Sequence, residues 1–196
     1  MEDTDRRIRR THRMLGEALV EIALEKGFDN VTIQDVTDRA DIAYRTFFRH
    51  YRDLNALLVE AFETRMNDWR DELTPFKPVT GESEARGTAA RERGRRVFEY
   101  VEANQDLFLV IFGPNGCRSV EGLIFDYSRE RAKDRFEVFN HSDIQTEIIA
   151  EVAISAAFGL VKWWLTHDAP PSPARMGEVF ARLIIEPAWQ ALDVDR

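Results

Sequence analysis

Residues 42–52 read IAYRTFFRHYR: three arginines, one histidine, four aromatic residues and no acid, in a chain whose formal net charge is -8. The local balance of +3 runs against the whole, and the residues before it say what it is for. Thr32 precedes Ile33 and is answered three residues later by Asp35, a pattern in which two side chains satisfy the free amides of a helix start. Ile33, Val36 and Ala40 then share one face of a short helix over roughly 33–40. Asp41-Ile42-Ala43 cannot continue that face, while Phe47, Phe48 and Tyr51 resume helical spacing, so the pattern is a helix-turn-helix. Cations on the second helix of such a pair displace counterions from phosphates while the helix enters the major groove of DNA. The bland alternative is a solvated charged face. The coincidence of cap, turn and aromatic core positions favours the DNA reader.

Working outward, Ile8, Leu15, Ala18, Leu19, Ile22 and Ala23 predict a helix over roughly 5–26, stopped at Gly27. Arg6, Arg7, Arg9, Arg10 and Arg13 on it have two readings of equal weight: an arm for the minor groove or flanking phosphates, or a solvated helix start softened by Glu2, Asp3 and Asp5. On the other side, Asp53 caps a helix whose stripe of Leu54, Leu57, Leu58, Ala61, Phe62, Met66 and Trp69 runs toward Pro75. Residues 74–88, TPFKPVTGESEARGT, hold two prolines and two glycines and read as a linker or loop.

Helical spacing returns beyond it. Val97, Phe98 and Val101 mark one face, Leu107 to Phe112 a short apolar helix, Gly113-Pro114-Asn115-Gly116 a turn, and roughly 118–139 a longer amphipathic helix. From Ile144 to Leu165 apolar residues occupy nearly every side, so the helix must be buried all round. Ser172 and Pro173 start a last apolar helix, carrying Met176, Val179, Phe180, Leu183, Ile184 and Trp189 and disturbed near Pro187. One chain cannot cover both of these helices, whereas a two-fold homodimer packing the pair as a four-helix bundle covers them. No stretch alternates with period two for long enough to argue a sheet.

The 196 residues, 44% hydrophobic and 32% charged, are ordinary for a globular protein. The run VAISAAFGLV is too short and too close to Lys162 to span a bilayer, and acids and arginines open the chain, so the expectation is a cytoplasmic protein without a membrane partner. A single cysteine, Cys117, excludes an internal disulfide framework and gives no metal spacing; beside Arg118 it reads as an inert thiol ahead of a redox sensor. His141 and Asp143 lack a third ligand, and neither a metal nor any other cofactor is expected. A glycine-rich phosphate loop after a strand, a nucleophile elbow and a His-Glu metal box are all missing from the sequence, which argues against an enzyme.

Residues 31–58, VTIQDVTDRADIAYRTFFRHYRDLNALL, resemble the N-terminal signature of TetR-family transcriptional repressors. The resemblance implies an all-α homodimer with a three-helix helix-turn-helix DNA-binding domain, residues 1–53. Residues 54–196 would be a helical effector-binding and dimerisation domain. Double-stranded DNA carrying a palindromic operator would be one partner, and a small apolar effector that releases the DNA the other. By the same resemblance Thr32 caps the second helix and touches a phosphate, and Ala43, Tyr44 and Arg45 stand at the groove-facing start of the recognition helix. Arg45 is the candidate for a guanine edge and Tyr44 for a thymine methyl or a backbone oxygen, with a phosphate contact for Arg45 and a packing role for Tyr44 equally open. Thr46 and Phe47 match the family's Thr-Phe pair, Arg49 adds charge, and His50 falls where the family places an aromatic or histidine on a phosphate. Three positions depart from the pattern. Asp41 replaces the turn glycine, Phe48 replaces a tyrosine and loses its phosphate bond, and Leu54 replaces a lysine.

For the effector, Phe62, Trp69, Phe98 and Phe108 with Phe112, Phe125, Tyr127 and Trp163 are the candidate lining of an apolar pocket, although an aromatic stripe at helical spacing equally makes a core. A constitutive DNA-binding dimer with no effector is the alternative.

Overall fold

The computed structural model describes residues 2–68 and 83–192, and among them every regular element is helical. The elements are α1 (Glu2–Lys26), α2 (Ile33–Arg39), α3 (Tyr44–Phe47), α4 (Leu54–Asp68), α5 (Ser83–Ala103), α6 (Gln105–Phe112), α7 (Arg118–Glu137), α8 (Thr146–Thr166), α9 (Pro173–Phe180) and α10 (Glu186–Ala191). A 3-10 turn, Phe28–Asn30, follows α1, and a π-helical turn, Ala181–Ile185, joins α9 to α10. The chain forms two compact units, Met1–Trp69 with Asp106–Leu123, and Arg70–Gln105 with Ile124–Arg196.

In the first unit α1 contributes Leu15, Leu19 and Ile22 to a core with Val36, Phe47, Leu57 and Leu58. α1 stops where expected: Gly27 takes φ 80, and its amide donates to Ala23 at 2.9 Å. Arg39 of α2 reaches both Glu21 and Glu25 of α1, the latter through a two-pronged contact at 3.0 and 3.1 Å. Asp53 caps α4, accepting from the amide of Ala56 at 2.8 Å. α6 joins this unit through Arg65 and Asp106, 3.3 Å apart, and through Phe62 against Phe108. Cys117 is 3% exposed, its sulfur beside Ser119 and Asn55, which fits an inert thiol.

The second unit corrects the loop expected over 74–88, of which residues 83–88 form the first turns of α5; the rest of that stretch lies outside the described residues. Gly87 and the charges around it resemble a loop in composition, but helix propensity is a weak prior that packing overrides. α5 crosses α9 where Gly94 meets Gly177; a Cβ on Gly94 would stand 2.6 Å from the Gly177 carbonyl oxygen, and one on Gly177 2.5 Å from the Arg95 amide nitrogen. Phe98, fully buried, then packs edge-on to Trp164 and Phe180. Ser172 accepts from the Arg175 amide and Pro173 opens α9. The disturbance expected near Pro187 is the π-helical turn just before it: proline offers no amide to the carbonyl four residues back and its ring crowds that carbonyl, so the ladder slips by one residue.

α8 departs from expectation twice. Extended over Thr146–Thr166, it is long and apolar enough by length and composition to cross a bilayer, which the shorter run around Ala153 did not suggest. It is also buried on one side only. Ile149, Ala150, Ala153, Ala157, Val161 and Trp164 are buried, while Ile148 (53% exposed), Val152 (64%) and Trp163 (42%) lie open on the other side.

Candidate nucleic-acid interface

Two hydrogen-bond motifs place the recognition helix. At the start of α2 the Thr32 hydroxyl accepts from the Asp35 amide at 3.1 Å, and the Asp35 carboxylate accepts from the Thr32 amide at 2.8 Å and its hydroxyl at 2.6 Å. Lys26 at 2.7 Å joins the same oxygen, and it is the main reason that Asp35 is held far below the usual carboxylate range. Both donors of Thr32 are therefore engaged inside the protein. At the end of α2 the Ile42 amide donates to Thr37 at 2.9 Å and the Asp41 amide to Asp38 at 3.3 Å, while Asp41 takes φ 52. These bonds make a Schellman motif with aspartate in the left-handed position that glycine usually fills. The chain reverses there without an extra residue, and α3 starts at Tyr44.

α3 buries Phe47 completely and turns its other side outward. Ala43, Tyr44, Arg45, Phe48 and Arg49 are exposed, and Thr46 is half-buried. Tyr44 and Phe48 remain 47% and 51% exposed, their rings edge to face at 5.3 Å, and Phe48 also meets Phe47 at 5.4 Å. Phe48 so keeps its packing. Neither Arg45 nor Arg49 forms an ion pair among the described residues, whereas Arg52 pairs with Asp53 at 3.2 Å. Two such guanidinium groups flanked by two open aromatic faces form a surface suited to phosphates and base edges.

His50, half-buried, is expected at a phosphate, but its surroundings are not legible in the sequence. Its Nδ1 lies 3.0 Å from Nε2 of His12 on α1, and Nδ1 of His12 lies 2.6 Å from Oε1 of Glu60 on α4. Burial first, then the charges of His12 and Arg49, hold His50 below the usual histidine value, and Glu60 opposes them. Tyr51 packs beside both imidazoles, and burial with the Glu60 charge pushes its phenol upward. Beyond this cluster Arg6, Arg7, Arg9, Arg10 and Arg13 line an open cleft between α1 and α4.

The aromatic residues assigned to an effector pocket fall in both units. Phe62, Phe108 and Phe112 are buried together in the first, with rings about 6 Å apart. Phe98 belongs to the core of the second, Phe125 packs edge-on to Phe158 at 5.6 Å, and the Tyr127 hydroxyl accepts from Arg131 at 2.7 Å. Trp163 lies on the open side of α8 against the His167 ring, and Trp69 lies outside the described residues. Sequence reasoning did not single out Arg93, whose guanidinium lies over Trp189 with a buried Nη1 that has no hydrogen-bond partner among the described residues.

Comparison with known proteins agrees with this geometry. The family of bacterial regulatory proteins named tetR matches residues 16–61, and a transcriptional regulator C-terminal region matches residues 93–186. A TetR transcriptional regulator from Streptococcus agalactiae shares the fold at TM-score 0.61 and 18% identity, over 94% of this chain and 98% of that one. Thermus thermophilus FadR, a TetR-family repressor solved with lauroyl-CoA, gives TM-score 0.61 and 18% identity over 88% and 92%. NalD of Pseudomonas aeruginosa, the secondary repressor of the MexAB-OprM multidrug efflux pump, gives 0.61 and 16% over 97% and 98%. No curated protein sequence matches. A capped helix-turn-helix under the N-terminal match and the helices from α5 to α9 under the C-terminal one lead to a single assignment: the chain belongs to the TetR family of DNA-binding transcriptional regulators.

Proposed function

We propose that the protein is a repressor that binds a palindromic operator as a homodimer and leaves it when a small apolar effector binds residues 54–196. The observation that carries this is the exposed, acid-free surface of α3, with Arg45 and Arg49 outside any ion pair among the described residues and beside Tyr44 and Phe48. In this reading Ala43, Tyr44, Arg45 and Thr46 face the groove while Arg49 and His50 hold the backbone. The engaged donors of Thr32 argue that any phosphate contact there requires its hydroxyl to leave Asp35. Footprinting on the DNA upstream of the protein's own gene is the test. Protection with two-fold symmetry, in half-sites about one helical turn apart or a little more, is the expected result, and asymmetric protection would count against it. Arg45→Ala should relax base preference at one position per half-site, costing roughly 1–3 kcal/mol for each guanine edge no longer read, whereas Arg49→Ala should weaken all sequences alike.

The homodimer reading rests on the open face of α8 with Leu183, itself 66% exposed. Ile148, Val152 and Trp163 recur at helical spacing beside the small Ala156 and Gly159, which is the form of a helix that meets another closely. Sedimentation should give twice 22.7 kDa, and Val152→Glu should give the monomer. For the effector, the lauroyl-CoA bound by FadR supports an acyl or other amphipathic ligand, and the unsatisfied Arg93 donor in the second unit suits an acidic or carbonyl group on it. Such a ligand should raise the melting temperature and lower DNA affinity together. If a broad set of apolar compounds does neither, a constitutive DNA-binding dimer is the better description.

A further inference from the structure

The cluster of His12, His50 and Glu60 has a hydrogen count that can be worked out atom by atom. Glu60 as a carboxylate only accepts, so the 2.6 Å contact puts a hydrogen on Nδ1 of His12. The 3.0 Å contact between Nε2 of His12 and Nδ1 of His50 needs one hydrogen, on either ring. Nε2 of His50, across the ring, makes no hydrogen bond among the described residues. A phosphate oxygen also only accepts, so a third hydrogen must stand on Nε2 when it meets DNA. Two neutral imidazoles own two hydrogens between them, and three places have to be filled.

We propose that Glu60, His12 and His50 form a proton-linked relay in which DNA binding takes up one proton per subunit, with Glu60 and His12 as positioning residues that fix which nitrogen of His50 carries hydrogen. The inference rests on the reading that His50 faces a phosphate. With both rings neutral, the Glu60–His12–His50 chain leaves Nε2 of His50 a bare lone pair, which repels a phosphate oxygen. The added proton converts that atom to a donor and places +1 on the two rings, between the Glu60 carboxylate on one side and a phosphate on the other. The other charged or titratable groups around the pair among the described residues are Arg49 and Tyr51 beside His50, then Arg6, Arg7, Arg9, Arg10 and Arg13 with Glu17, the partner of Arg13, along the α1 side of the cleft, and Arg65, which is held by Asp106. The arginines oppose the added proton and Glu60 favours it, so the relay depends on that carboxylate. Burial first holds His50 below the usual histidine value, so the added proton is drawn from solvent as the duplex binds. The sign follows: affinity is complete at low pH and falls as pH rises through the titration of His50 in the complex.

The experiment measures affinity of the full chain for a duplex from about pH 5.5 to about pH 8.5 at fixed salt. The expected loss approaches a factor of about ten per pH unit per subunit on the alkaline limb. Glu60→Gln should shift that limb to lower pH and leave the acid plateau in place, while His50→Gln, a neutral donor at every pH, should flatten the profile. A pH-independent affinity in the unsubstituted chain, or a Glu60→Gln profile that superimposes on it, overturns the relay. The ring nitrogens, followed by NMR in the unsubstituted chain, give a second reading that needs no variant to fold: Nε2 of His50 should gain a hydrogen on adding duplex, and an unchanged ring overturns the proposal. If His50→Ala binds every duplex as tightly as the unsubstituted chain, the phosphate reading beneath it has failed instead, and an absence of DNA binding altogether removes the parent function.

Discussion

The α2–α3 pair and the α5–α9 pair are both helices held at close quarters, and opposite things hold them. In the α2–α3 pair the geometry is made by hydrogen bonds: the Thr32 and Asp35 side chains fix the start of α2, and the Thr37 and Asp38 carbonyls hold the turn that leads from its end to α3. Between α5 and α9 it is made by missing atoms, since the two backbones approach where Gly94 and Gly177 have no Cβ. Hydrogen-bonded ends can exchange a partner for water when altered, so their failure is gradual. Backbone against backbone cannot yield, so its failure is steep.

The largest expected effect is therefore at the glycine crossing. Gly177→Ala brings a methyl to 2.5 Å from the Arg95 nitrogen and 2.7 Å from its Cα, neither of which can rotate aside. The helices must separate, at a cost of about 3 kcal/mol or more. For a chain of this size that lowers the melting temperature by roughly 10 °C. A thermal scan within a degree of the unsubstituted protein would mean that α5 and α9 do not cross at these residues.

Removing the α2 cap should do less. Thr32→Ala deletes the acceptor for the Asp35 amide and should cost about 1 kcal/mol. The same site gives a pH signature. Asp35 is held below its unfolded value of 3.8 by Lys26 first and Thr32 second, so its contribution is complete above about pH 4 and is lost as pH falls below that. Thr32→Ala should consequently narrow the difference in melting temperature between neutral and acid solution. A variant as acid-sensitive as the parent would place the acid limb elsewhere.

The same contrast explains what the sequence made legible. Caps join residues three apart, so Thr32 with Asp35 and Asp53 with Ala56 could be read in order along the chain, and with them the helix-turn-helix and the exposure of Arg45. The Gly94–Gly177 crossing joins positions in helices far apart, so no local spacing announces it, and Gly87 in its charged run reads as loop although it lies in the first turns of α5. His12 and His50 are 38 positions apart, and no local spacing announces that their nitrogens meet. For α8 the pattern shows apolar residues on every side, and burial is not legible from it: the chain covers one side and leaves Ile148 and Val152 bare.

The smallest effect sharpens the comparison, because it adds a glycine where bonds do the holding. Asp41 sits at φ 52 in the Schellman turn, a conformation that costs an ordinary L-residue about 1–2 kcal/mol and an aspartate less. Glycine removes that strain but brings a more flexible unfolded chain, which takes back roughly 0.5–1 kcal/mol. Asp41→Gly should thus stabilise by only about 0.5 kcal/mol, a rise of one or two degrees, while Asp41→Ala, keeping the strain and losing the polar side chain, should move the other way. Asp41 is also exposed and adds a negative charge close to α3. Both variants should accordingly tighten binding to all duplexes alike and leave base preference unchanged. Opposite shifts in stability with parallel shifts in affinity separate the backbone role of this position from its charge. Stability falling in both variants would show instead that the aspartate side chain holds the turn, and that the α2–α3 connection depends on one more hydrogen bond than its backbone supplies.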